Sequence, residues 1–205
     1  MPRSAVIKRK TTETDITLSM NLDGNGEGNI KTGIPFFDHM LTLFSRHGLF
    51  DLKIKAKGDI EVDFHHTVED VGICLGEAIK KALKDKKGIK RYGTSDVPMM
   101  DALATVILDI SGRPYLKFAL PKNSRIGISL VHPKILEGPF DMGLAKEFLT
   151  ALSNTAGIDL HVKLHYGDDL HHSIEAIFKA LGRALRVAVE KDKRVKGVLS
   201  TKGKL

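Results

Sequence analysis

The sequence predicts an α+β fold built from two tandem βββαβα units, with sheets packed against helices. Three observations predict it: a long internal repeat, amphipathic helical patterns at matched positions in the two halves, and short alternating segments ahead of those helices. The repeat is clearest at an offset of 106 residues, where "DFHHTVEDVGICLGEAIKKAL" (63–83) lies without gaps on "DLHHSIEAIFKALGRALRVAV" (169–189). Asp63/Asp169, His65/His171, His66/His172, Glu69/Glu175, Leu75/Leu181, Gly76/Gly182, Ala78/Ala184 and Ala82/Ala188 are identical pairs, and Thr67/Ser173 and Val68/Ile174 are conservative ones. A match of this length marks the duplication of one structural unit.

In the first half, "SAVIKRKT", "DITLSMNL" and "GNIKTG" read as strands, with "DGNGEG" as the turn before the third. "PFFDHMLTLFSRHG" (35–48) reads as a helix ending at a glycine. "DLKIKAKG" (51–58) alternates apolar with polar residues, as a half-buried strand does. Val68, Val71, Leu75, Ile79 and Leu83 then recur at helical spacing. The second half offers "LATVILDIS", "RPYLKFAL" and "RIGISLV" as strands and "FDMGLAKEFLTALSNTAG" (140–157) as a helix. The strand "IDLHVKLHYG" (158–167) and a helix with Ile174, Ile177, Leu181 and Leu185 on one face complete it. The expected boundaries are residues 1–90 for the first half, 91–190 for the second and 191–205 for a C-terminal tail.

Composition bounds the function. The chain has 205 residues, 42% apolar and 28% charged, which is ordinary for a soluble globular protein with a sizeable core. There is no apolar run long enough to span a membrane and no secretory signal at the start, so the expectation is a cytoplasmic protein. Cys74 is the sole cysteine, so no intrachain disulfide can form, and its place on the apolar side of a helix predicts a packing role. A net charge of +7 suits either nucleic acid or an anionic small substrate. The basic clusters "KDKKGIKR" and "KDKRVKGVLSTKGKL" carry almost no aromatic residues, which argues against a base-stacking surface and for no nucleic-acid partner.

The duplicated H-H-x-x-E is the chemical signal. On a helix each histidine shares a face with the glutamate three or four residues on. The two adjacent rings point about 100° apart, so they serve two metal ions better than one. His65, His66, Glu69, His171, His172 and Glu175 therefore supply six ligands to two metals. His39, 26 residues before His65, and Glu147, 24 residues before His171, occupy the equivalent preceding helices and bring the set to eight. Four ligands per six-coordinate ion leave two positions for substrate. Imidazole and carboxylate without thiolate suit manganese, iron, cobalt or zinc, and an octahedral preference favours manganese. A single histidine pair at a helix start is more often a cap than a ligand; recurrence at matched positions tips the balance. Arg91 in "GIKRYG", Arg113 in "ISGRPY" and the hydroxyls and lysine of "LSTKGKL" have the chemistry to hold a phosphate, although no P-loop is present.

"TGIPFFDHML", "DFHHTVEDVGICLGEA", "GIKRYG", "LDISGRPY", "HHSIEAIFKALGRALR" and "STKG" follow the order seen in imidazoleglycerol-phosphate dehydratases, the lyases of histidine biosynthesis, and nearly the whole chain resembles them. The resemblance implies left-handed βαβ crossovers, a 24-subunit homo-oligomeric shell and two Mn²⁺ ions per active site, with the sites between subunits. It also implies the stand-alone dehydratase rather than a fusion with a phosphatase. The ligands it implies are His39, His65, His66, Glu69, His171, His172 and Glu175, while position 147, commonly histidine in the family, is glutamate here. Leu43 replaces a frequent glutamine, Asp169 a usual asparagine, and Met100 an expected aspartate.

The implied reaction converts D-erythro-imidazole glycerol phosphate to imidazole acetol phosphate and water. Its difficulty is the loss of a carbon-bound hydrogen near the imidazole ring with no carbonyl to acidify it, and a metal on a ring nitrogen would favour an imidazolate that acts as electron sink. Glu13 and Glu175 are the acid–base candidates. Arg91, Arg113, Lys179, Ser200 and Lys202 are assigned to the phosphate and its surroundings, and His47 to the pocket lining. Two other classes compete: a metal-storing shell, which would use the ligands without the phosphate set, and a nucleic-acid module, which would leave both histidine motifs unexplained.

Overall fold

A computed structural model of the chain describes residues 3–122, 140–203 and 205. The elements run β1 (Ser4–Lys10), β2 (Thr14–Asn21), β3 (Gly28–Lys31), α1 (Pro35–Gly48), β4 (Asp51–Gly58), α2 (His65–Leu83), β5 (Tyr92–Met99), β6 (Ala102–Asp109), β7 (Tyr115–Ala119), α3 (Met142–Ala156), β8 (Asp159–Tyr166) and α4 (Leu170–Val189). Each half is βββαβα, as the pattern predicts. The sheets are ordered β1-β2-β4-β3 and β5-β6-β8-β7. In both, the first three strands in that order are antiparallel and the last pair is parallel. The parallel pair is the one whose strands are joined through a helix, because a parallel connection needs a long crossover.

One strand escapes the sequence reading, which places the second half at 91–190 but its first strand at 103. Its first strand is instead β5, "YGTSDVPM", and the expected first and second strands are β6 and β7. The inward residues of β5 are Gly93, Ser95 and Val97. They are small because α4 lies so close that a Cβ at Gly93 would stand 1.9 Å from the Ala184 carbonyl oxygen. The apolar alternation that signals a strand is therefore muted where packing is tightest. The further strand expected at 125–131 lies outside the described residues.

The helices sit between the sheets and exchange partners. α2 packs on β1, β2 and β4 and against α3, while α4 packs on β5, β6 and β8 and against α1. A single buried cluster, including Phe37, Phe44, Phe148 and Phe178, takes residues from both halves. Gly76 and Gly182, identical in the repeat, mark the two crossings. A Cβ at Gly76 would meet the Ala156 nitrogen and Leu152 oxygen of α3 at 3.0 Å, and one at Gly182 would meet the Phe44 oxygen of α1 at 2.5 Å. Close crossings of α1 with α4 and of α2 with α3 carry the polar ends of these helices together.

Candidate functional site

The α1–α4 crossing gathers the tightest cluster. His39 of α1 and His171 and Glu175 of α4 place three donor atoms within 4.8 Å of one another, the one such group among the described residues. Glu175 Oε2 is 3.1 Å from His171 Nε2 and 3.8 Å from His39 Nε2. Both imidazoles are exposed, whereas Glu175 is buried. Burial opposes ionisation of Glu175, but Lys179, 2.6 Å away, together with His39 and His171, holds its carboxyl below the usual range. His171, Glu175, Lys179 and Arg183 follow at four-residue intervals along one face of α4. His47, near the end of α1, faces the far end of that row. Burial, then the charges of Lys179 and Arg183, push its imidazole down.

The α2–α3 crossing carries the counterpart. His65 Nε2 is 3.7 Å from Glu69 Oε2, and His65 lines a pocket of about 520 Å³ with Asp63, Phe64 and Glu147. Glu147 is the true equivalent of His39. Thr42 and Thr150 each donate to the carbonyl four residues back at 2.7 and 2.8 Å, and Ser45 and Ser153 each donate to the carbonyl five residues on at 2.7 Å. Both pairs are 108 residues apart, as are 39 and 147.

The second histidine of each motif is held by a carboxylate that the sequence reading did not nominate. His66 Nδ1 lies 3.0 Å from Asp59 Oδ2, and His172 Nδ1 lies 2.5 Å from Asp101 Oδ1. Asp101 also accepts the backbone N–H groups of Asp169 and Asp168, and these, with His172, hold its carboxyl far below the ordinary value. Glu13 stands on the other side of His66, its Oε1 3.8 Å from Nε2.

Arg91, Arg113, Ser200 and Lys202 line a different region, a cleft of about 1070 Å³. The tail is stitched to the segment after α2. Gly88 N–H donates to the Gly197 carbonyl, Asp192 N–H donates to that of Gly88, and Ile89 bridges Lys191. Arg91 clamps Asp109 through two bonds, at 2.6 and 2.8 Å, and donates from Nη1 to the Leu199 carbonyl at 2.7 Å. Its guanidinium is thus spent on Asp109 and, through one bond, on the tail, leaving Arg113, Ser200 and Lys202 as the freer anion donors. Lys179 and His47 line neither this cleft nor the Glu147 pocket; they belong with Glu175.

The donors fit a divalent ion. Neutral imidazole nitrogens and carboxylate oxygens without thiolate are the ligand set of manganese, iron, cobalt or zinc. Glu175 Oε2 lies 3.1 and 3.8 Å from the two imidazole nitrogens, so His39, His171 and Glu175 are the residues that would hold one such ion.

The chain resembles known proteins throughout. The family model described as imidazoleglycerol-phosphate dehydratase matches residues 32–185. The imidazoleglycerol-phosphate dehydratases of Pelobacter propionicus and Acetivibrio thermocellus are 56% and 58% identical to it over 205 residues, with all of this chain and all of each relative covered. The crystal structure of IGPD from Pyrococcus furiosus superposes with a TM-score of 0.78 at 38% identity, over 97% of this chain and 100% of that one. That of the Staphylococcus aureus dehydratase gives 0.74 at 39%, over 92% and 100%. On the full-length relatives and the family match together, the chain belongs to the imidazoleglycerol-phosphate dehydratase family.

Proposed function

We propose that the chain dehydrates D-erythro-imidazole glycerol phosphate to imidazole acetol phosphate in histidine biosynthesis, using two Mn²⁺ ions per active site. The observation that carries the metal part is the donor cluster His39, His171 and Glu175, together with its repeat counterpart Glu147, His65 and Glu69. The reaction removes a proton from one hydroxyl-bearing side-chain carbon and hydroxide from its neighbour, the side-chain carbon attached to the ring; the resulting enol becomes the ketone. When bound, the metal supplies Lewis acidity at a ring nitrogen and a template for the substrate. Glu13, half-exposed beside His66, takes the carbon-bound proton, and Glu175, kept ionised by Lys179, serves as ligand and proton partner. Arg113, Ser200 and Lys202 receive the phosphate, and Arg91 fixes the tail that carries two of them.

The donor cluster, the Glu147 pocket and the Arg113 cleft share no residue. A complete site therefore forms where the α1–α4 surface of one copy meets the α2–α3 surface of another. Such a contact joins unlike patches, so it closes only as a ring of copies, and it accords with a 24-subunit shell. No helix among the described residues is long and apolar enough to cross a membrane, and the proposed location is the cytoplasm.

The test is turnover of imidazole glycerol phosphate by chelator-stripped protein before and after Mn²⁺ is restored. Activity that returns with manganese supports the reading. Two bound ions per chain without turnover would replace it with metal storage.

A further inference from the structure

The two halves hold their second histidines by different means, and the difference falls on Glu13, the proposed proton acceptor. The β1–β2 and β5–β6 hairpins are equivalent: Lys10 pairs with Asp15 and Pro98 with Leu103, and from Ile16 and Ala104 onward β2 and β6 occupy the same register against β4 and β8, a register shift in β6–β8 falling between Leu103 and Ala104. This superposition, at an offset of 88, sets Glu13 on Asp101. Asp101 reaches the start of α4, where one oxygen accepts the Asp168 and Asp169 N–H groups at 2.7 and 2.8 Å and the other takes His172 Nδ1 at 2.5 Å. Glu13 makes no such contact. The corresponding task at His66 belongs to Asp59, in a stretch between β4 and His65 that is two residues longer than the stretch between β8 and His171.

The hairpin that bears Glu13 is secured differently as well. Buried Asp70 of α2 accepts Arg9 Nε at 2.8 Å and the Thr14 hydroxyl at 2.5 Å. The equivalent positions in the second half are Val97, Ala102 and Ala176, all buried and apolar. One hairpin is fixed by an ion pair beneath it, which leaves its turn carboxylate unspent. The other is fixed by that carboxylate.

We propose that Asp59 and Asp101 are positioning residues that hold His66 and His172 with Nε2 facing outward, and that transfer of this task to Asp59 in the first half frees Glu13 to reach the reacting atoms. A carboxylate can only accept, so each Nδ1 must donate, and in the neutral ring each Nε2 keeps its lone pair for an ion. The proposal rests on the metal-dependent reading above for its consequence, though not for the ring orientation itself.

The same substitution has opposite consequences in the two halves. In Asp101→Asn the amide oxygen is retained by the two backbone donors, so the NH₂ faces His172 Nδ1. The ring proton then moves to Nε2, the nitrogen meant for metal. In Asp59→Asn no backbone donor fixes the amide, its oxygen can accept from His66 Nδ1, and Nε2 stays available. Asp59→Ala removes the acceptor altogether.

The experiment combines ¹⁵N-histidine tautomer spectra of the metal-free full chain with Mn²⁺ titration of each variant. Asp101→Asn and Asp59→Ala are expected to weaken Mn²⁺ binding about 10–100-fold at the affected site. Asp59→Asn stays within a few-fold of wild type, and Glu13→Gln loses kcat with Mn²⁺ affinity within about twofold. Protonation of His172 at Nε2 in Asp101→Asn supports the proposal even if the wild-type chain binds no manganese, which is the failure of the metal reading alone. An unchanged His172 tautomer with unchanged Mn²⁺ affinity overturns it, as does equal weakening by Glu13→Gln. Should Asp101→Asn not fold, the contrast between Asp59→Ala and Asp59→Asn decides in the same way, and equal behaviour of those two overturns the proposal.

Discussion

The Arg9–Asp70–Thr14 clamp can be taken apart using the chain's own alternative. Asp70→Ala removes a carboxylate only 9% exposed, which accepts from Arg9 and from Thr14. A hydrogen bond to a charged group contributes about 1.5–3 kcal/mol. The Arg9 side chain is 35% exposed and can turn to water, so its share is closer to the ~1 kcal/mol or less of a surface pair. The loss is therefore about 2–3 kcal/mol, or a fall of roughly 5–10 °C in Tm for a chain of this size. The triple variant Arg9→Val, Thr14→Ala, Asp70→Ala copies Val97, Ala102 and Ala176, which already pack dry in the other half. Replacing a buried ion pair by apolar groups is often neutral or stabilising by about 1–4 kcal/mol. The triple variant should therefore regain most or all of the lost Tm in thermal scans at fixed protein concentration, since the proposed assembly would couple Tm to concentration. Its kcat should still fall, because a displacement of about 1 Å in a reacting group can cost ~10²-fold. A triple variant as unstable as Asp70→Ala would refute the argument, since the loss would then not come from uncompensated polar groups.

Gly182→Ala should separate α1 from α4, because the new methyl would stand 2.5 Å from the Phe44 oxygen. The expected cost is about 1–3 kcal/mol, with weaker Mn²⁺ binding at His39, His171 and Glu175 by calorimetry; unchanged stability and affinity would mean the crossing does not set the cluster. Cys74 is fully buried and its thiol is pushed up to about 12 by that burial, so iodoacetamide at pH 8 should label it only as the chain unfolds. Rapid labelling of the native protein would contradict the packing role.

The helices and the strands β4 and β8 were legible because each buries one face and writes the period of that face into the sequence. β5 was not, since contact with α4 demands Gly93 and Ser95 where a strand would ordinarily advertise itself with large residues. The paired histidines were legible through duplication: an offset of 106 sets both H-H-x-x-E motifs on each other. That one offset is also why the acids behind them stayed hidden. The repeat holds at 88 for the hairpins, 108 for α1 and β4, and 106 for α2, because connections between elements gained or lost residues while the elements kept their places. Glu147 could be nominated without geometry, since it lies on a helix that any alignment pairs with α1. Asp101 could be found only by sliding hairpin on hairpin, and Asp59 by no alignment, because it sits beside the two residues that the second half lacks. Ligands at equivalent positions leave a trace in a duplicated sequence; the groups that orient them leave one only if both halves solved the problem in the same way. Here the halves diverged at Glu13 and Asp101, where, on the proposed function, a symmetric pair of metal ligands would serve a reaction whose proton donor and acceptor cannot be symmetric.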